Sequence, residues 1–156
     1  MPSALQHELR QRRPFQSAAH EAIVGLMRTA DLIRRQAAAL VEPHGITLQQ
    51  FNVLRILRGA GDEGLPTLAV GDRMIEQTPG VTRLLDRLEA KELVRRQRCP
   101  KDRRQHLCWI TAKGLALLEK IDALSSRAHE EALRGLTQKD RIAFIRLLDA
   151  IRAAHQ

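Results

Sequence analysis

The chain has 156 residues, 44% hydrophobic but only 3% aromatic, which excludes wholesale disorder and points to an aliphatic, helical core. Its 26 lysines and arginines against 18 acidic residues give a formal charge of +8, a balance that suits a polyanionic partner where the cations cluster. No apolar run reaches the roughly 20 residues that span a bilayer, and the opening MPSALQHELRQRRPFQS lacks a signal-peptide stretch, so a cytoplasmic protein with no membrane partner is expected.

Residues 1–16 are polar and basic, are broken by Pro14, and read as a flexible arm. A helix is predicted from Ser17 to Val41, because Ile23, Leu26, Met27, Ala30, Ile33, Ala37, Leu40 and Val41 recur at three- and four-residue steps. Pro43 and Gly45 end it. Thr47 and Gln50 form a capping box that opens a second helix carrying Phe51, Leu54 and Leu57, and Gly59, Gly61 and Gly64 follow as a loose turn.

A short third helix, Thr67 to about Met74, is expected to bury Leu68 and Met74. Thr78 is read as the N-cap of the fourth helix, with Pro79 at its first position, where the missing donor costs nothing. Val81, Leu84, Leu85 and Leu88 make its apolar stripe, and Gly80, Thr82, Arg83, Asp86 and Arg87 its opposite face. Leu93 to Arg98 and His106 to Ile110 are predicted strands joined by the tip Pro100-Lys101-Asp102-Arg103-Arg104. Thr111 caps a long fifth helix carrying Leu115, Leu118, Ile121, Leu124 and Ala128. Thr137 and Asp140 start a sixth, lined by Ile142, Ile145, Leu148 and Ile151 and widened by Phe144 and Leu147. The predicted fold is mainly α with a small β-hairpin.

Cations thus sit on one helix face and on a narrow loop. B-DNA offers a major groove that admits a helix and a minor groove that attracts arginine. A winged-helix DNA binder is the first reading, with Arg95, Arg96 and Arg98 holding backbone phosphates beside Lys101.

The segments TLQQFNVLRIL, QTPGVTRLLDRLEAKELVRR and PKDRRQHLCWITAKG resemble the MarR family of winged helix-turn-helix transcriptional regulators. The resemblance implies a winged helix-turn-helix lobe at 44–111, flanked by dimerisation helices at 17–43 and 112–156. It also implies double-stranded DNA as partner, bound at a pseudopalindromic operator by a homodimer. The expected DNA contacts are Thr78, Pro79, Gly80, Thr82, Arg83, Arg87, Lys101, Arg103 and Arg104. Asp102 would brace the wing by pairing with a neighbouring arginine, and Arg104, or secondarily Arg103, would enter the minor groove. Repression, released by a small anionic or phenolic effector, is the implied regulation. The chain departs from the family pattern at Glu92, where the turn after the fourth helix often has Gly, at Ile75 in the turn before it, and at Gly71 within the third helix.

Two alternatives remain open on the sequence. The helix-turn-helix unit could dock protein rather than DNA. Alternatively, Cys99 or Cys108 could sense oxidants in a regulator of the same fold. No nucleophile motif, phosphate loop or dinucleotide fingerprint is present, so no enzyme activity and no cofactor are expected. The histidines, among them His20, His44 and His129, form no metal-ligand spacing, and no metal is expected.

Overall fold

A computed structural model describes residues 3–100, 102 and 104–155, and its backbone separates into two compact units, Met1–Ala39 and Leu40–Gln156. The first unit holds α1 (Ala4–Glu8) and most of α2 (Ala18–Val41). The helix α1 stands where the sequence reading expects only a flexible arm. The Ser3 hydroxyl accepts the Gln6 amide at 3.2 Å, Glu8 pairs with Arg28 at 2.8 Å, and Leu5 lies against Gly25. Those anchors are some 20 residues away in the chain, which is why local periodicity does not reveal the helix. The predicted α2 stripe is present, with Val41 buried at its end, but Ile23 is 50% and Met27 68% exposed.

In the second unit, α3 (Leu48–Ala60) begins with the expected capping box. Thr47 accepts the Gln50 amide at 3.2 Å while its own N–H donates to Gln50 Oε1 at 3.0 Å. Phe51, Val53, Leu54 and Leu57 then enter the core. Next come β1 (Leu65–Pro66), α4 (Thr67–Asp72), α5 (Val81–Ala90), β2 (Val94–Arg98), β3 (His106–Ile110), α6 (Ala112–Ala132) and α7 (Gln138–Ala153). The sheet is antiparallel in the order β1-β3-β2, with Val94 opposite Ile110, Arg96 opposite Cys108, and Leu65 on the other side of Cys108. The winged helix-turn-helix is therefore present, with one strand more than the hairpin predicted. At two residues including a proline, β1 carries no alternation to detect.

Three further expectations are corrected. Leu68 is 80% exposed, whereas Val70 and Met74 are buried. Met74 lies just beyond the helix, and at 100° per residue Leu68 points nearly opposite to Val70. The fourth predicted helix starts at Val81, with Gly80 as N-cap and no capping side chain. Thr78 instead accepts the Gly80 amide two residues on, at 3.4 Å, which leaves Pro79 and Gly80 in a turn ahead of the helix.

Glu92 adopts φ 61°, the left-handed conformation that its replacement of glycine implies. Its carbonyl accepts the Thr111 hydroxyl at 2.7 Å, and the Leu93 carbonyl accepts the Thr111 amide at 3.1 Å. The Thr111 hydroxyl also caps α6 through the Gly114 amide at 3.1 Å. Gly114 is required here, since a Cβ at that position would lie 2.5 Å from the Leu93 carbonyl oxygen. Leu118 and Ile121 of α6 are fully buried, while Leu115 and Leu124 are 39% and 45% exposed. No residue of α7 is buried, and Ile142, Ile145 and Leu147 are each about 60% exposed. No helix among the described residues is long and apolar enough to cross a membrane.

The start of α7 has a measurable signature. The Thr137 hydroxyl donates to Asp140 Oδ2 at 2.5 Å and the Thr137 amide does so at 3.0 Å. Together they hold the Asp140 carboxyl below its ordinary range, the hydroxyl contributing most. Because the folded value is depressed, this bonding stabilises α7 fully above the ordinary aspartate range and is lost as pH falls through the lowered value. Thr137→Ala should move the Asp140 titration, followed by carboxyl NMR, back up towards ordinary aspartate. An unmoved titration would contradict the assigned cause.

Candidate nucleic-acid interface

The α5 stripe divides that helix cleanly. Leu84, Leu85 and Leu88 are buried in the core shared with α3, while Thr82, Arg83, Asp86 and Arg87 are exposed. Pro79, Gly80, Thr82 and Arg83 line one open depression of roughly 480 Å3 at the start of the helix. Four of the expected contact residues therefore meet in one place, with Thr78 half-buried just ahead of them. Arg87 lies a turn further on and borders a second depression of roughly 430 Å3, with Gly45, Ile46, Gln50 and Lys91. Neither Arg83 nor Arg87 has a hydrogen-bond or ion-pair partner among the described residues.

Asp86 does not pair with those arginines. Its Oδ1 receives Arg96 Nη2 at 2.6 Å, and Glu89 Oε2 receives Arg96 Nη2 at 2.6 Å and Nε at 3.0 Å. The Arg96 amide completes the set by donating to Glu89 Oε1 at 3.2 Å. Hydrogen bonding to Glu89, ahead of Asp86, holds the guanidinium above its already high range, so it is permanently charged. The Arg96 side chain is only 19% exposed, which corrects its expected role as a phosphate holder.

Arg95 is engaged as well. Its guanidinium lies 4.1 Å from the centroid of the Trp109 ring, directly across the strand pair. The indole N–H donates to the Asp62 carbonyl at 2.9 Å, and Gly64 lies flat beneath the ring. The base of the hairpin is thereby fastened to the turn after α3. The stacked Arg95 remains exposed and still presents N–H groups outward, as planar guanidinium over a ring permits.

At the hairpin tip, Asp102 Oδ1 accepts the Arg104 backbone amide at 3.0 Å and the Asp102 carbonyl accepts the Gln105 amide at 3.0 Å. Asp102 thus braces the tip through the backbone; no guanidinium pairs with it among the described residues. Arg104 is exposed and, like Arg98, unpaired among the described residues. Lys101 and Arg103 lie outside the described residues. Cys108 is fully buried in the central strand, and burial raises its thiol pKa despite the Thr67 hydroxyl at 3.7 Å. Such a thiol is a poor nucleophile. Cys99 is half-buried.

Comparison with known proteins agrees with this geometry. The MarR family profile matches residues 46–106, from the start of α3 to the first residue of β3. The HTH-type transcriptional regulator MhqR of Bacillus subtilis is 32% identical over 100 residues, 64% of this chain and 68% of that protein. The chain belongs to the MarR family. A MarR transcription factor from Planctomyces limnophilus, 34% identical over 87% of this chain and 98% of its own, superposes with a TM-score of 0.68. Bordetella bronchiseptica BpsR, whose DNA binding is regulated by 6-hydroxynicotinic acid, is 25% identical over 88% of this chain and 94% of its own, with a TM-score of 0.74.

Within this MarR-family chain, sequence reasoning missed the Trp109 fastening and the Arg96 ion-pair group. Pairing the two predicted strands would have set Arg95 against the only tryptophan. Nothing local signals the acceptor at Asp62.

Gly64 tests the fastening. Its φ is +70°, and a Cβ there would sit 2.5 Å from the indole Cε2. Gly64→Ala should destabilise the chain by about 2 kcal/mol or more. Gly59→Ala, within α3 where a Cβ meets nothing within 4 Å, should stabilise it by up to about 1 kcal/mol. Urea unfolding followed by fluorescence of the single tryptophan reads both; equal effects would refute the packing described.

Proposed function

We propose that the chain is a sequence-specific DNA-binding repressor that acts as a homodimer and is released by a small anionic or phenolic ligand. The observation that carries the reading is the pair of exposed arginines on α5, Arg83 and Arg87, which have no partner among the described residues, together with the exposed Arg104 on a braced hairpin tip. A helix and a loop so charged match adjacent major and minor grooves.

In this reading residues 44–111 read DNA. Thr78, Pro79, Gly80 and Thr82 approach the backbone and base edges around the start of α5, Arg83 and Arg87 enter the major groove, and Arg104 enters the minor groove. Lys101 and Arg103 add charge at the tip, and Arg95 and Arg98 hold phosphates. Residues 17–43 and 112–156 form the dimer, supported by the bare apolar side chains of α2 and α7. Twofold symmetry then implies a pseudopalindromic operator with half-sites about 34 Å apart. The regulation of BpsR by a small aromatic acid supports a ligand of that class, which must favour a DNA-incompetent arrangement to release the operator.

Titration of a selected duplex over a salt series checks the reading. The logarithm of affinity should fall linearly with log salt, and Arg104→Ala should weaken binding roughly tenfold and shallow the slope by about one. Salt-insensitive binding, or full affinity in Arg104→Ala, would favour protein docking as the role of this surface.

A further inference from the structure

The ten residues of α5 carry two arginines, Arg83 and Arg87, and two carboxylates, Asp86 and Glu89, so the helix proposed to enter the groove has no net charge of its own. Asp86 is the more puzzling of the two acids. At 100° per residue it lies near the middle of the exposed arc, between Thr82 and Arg83, and its side chain is 54% exposed. A bare carboxylate there would face phosphate, and it also sits three residues from Arg83 and one from Arg87. An i, i+3 pairing with Arg83 would withdraw that arginine from DNA.

Arg96 removes both problems in the structure. Residues alternate across a strand, so it shares a sheet face with the buried Val94, the side on which β2 packs against α5. From there one guanidinium reaches Glu89 and Asp86 together, and the Arg96 backbone amide holds the second Glu89 oxygen. The cation that neutralises the helix is thus supplied from the wing and approaches from the protected side.

We propose that Arg96 is a positioning residue for DNA binding: it occupies Asp86 and Glu89 so that Arg83 and Arg87 remain free, and it fixes α5 against the first wing strand. The proposal rests on the DNA-binding reading above. It makes Arg96 essential to affinity without touching DNA, and it makes the two carboxylates the reason it is needed.

The test uses the full-length chain and a duplex that the wild-type protein selects from a random-sequence library. If the wild type selects none, the DNA-binding reading itself fails. Given a selected duplex, affinity and salt slope are measured for Arg96→Gln, for Asp86→Asn, and for the triple variant Arg96→Gln, Asp86→Asn, Glu89→Gln, with circular dichroism confirming that each is folded. Arg96→Gln should lose roughly tenfold or more in affinity. Asp86→Asn alone should bind at least as well as wild type. The triple variant should recover to within about threefold of wild type at an unchanged salt slope. A purely structural role would not be rescued by neutralising the carboxylates. Three results would overturn the proposal: a triple variant as weak as Arg96→Gln, a slope lower by about one as for a direct phosphate contact, or a loss in Asp86→Asn matching that of Arg96→Gln, which would make Asp86 a base reader.

Discussion

The packing of α3 is the constraint on which the second unit depends. Its buried Val53, Leu54 and Leu57 share one aliphatic core with Leu85 and Leu88 of α5, Cys108 of β3, and Leu118 and Ile121 of α6. Each of these partners buries only one to three side chains in the core. The ten-residue α5 in particular could not hold its position alone, because so short a helix gains most of its stability from tertiary burial. The capping box at Thr47 therefore matters beyond its own turn: it fixes where α3 begins, and so which of its side chains face inward.

From that core α5 and the hairpin are oriented by two fastenings at the sheet. One is the joint where α5 turns into β2. Glu92 takes a left-handed conformation that costs about 1–2 kcal/mol, and the Thr111 hydroxyl and amide bond the Glu92 and Leu93 carbonyls. The same threonine caps α6, so the exit of α5 and the entry of α6 are set by one side chain. The other fastening is Trp109, which ties the hairpin base to Asp62 and supports Arg95. The hairpin is held at its base, and Asp102 bonds the Arg104 and Gln105 amides at its tip. Less ordering is then left to occur on binding.

Features set by neighbours three or four residues apart were legible in the sequence. The Thr47 and Thr137 capping boxes and the α5 stripe follow from such local chemistry, whereas the turn at Glu92 was flagged only through the resemblance. Illegible features depended on partners distant in the chain or on competition between local options. Thr78 had both a cap and a two-residue turn available, and formed the turn. The short α4 has too few residues to establish a period, so Leu68, expected in the core, is exposed while Val70 is buried. The helix α1 required Arg28 and Gly25, far along the chain. Arg96 looked like any other wing cation until its distances to α5 distinguished it.

The bare helices raise the remaining physical question. With sixteen residues, none of them buried, α7 is near the length at which an isolated helix is marginal in water, even with a complete capping box. Its exposed Ile142, Ile145, Leu147 and Ile151 would each gain on the order of 1–2 kcal/mol from burial, far more than a cap contributes. Ile23, Met27 and Ile33 of α2 present the same imbalance in the first unit. Among the described residues these side chains stay exposed, and the proposed homodimer would supply them with partners. In such a dimer the apolar area left bare at the two ends would set the separation of the two α5 helices. A ligand that altered the packing of those ends would act on DNA binding without touching Arg83, Arg87 or Arg104.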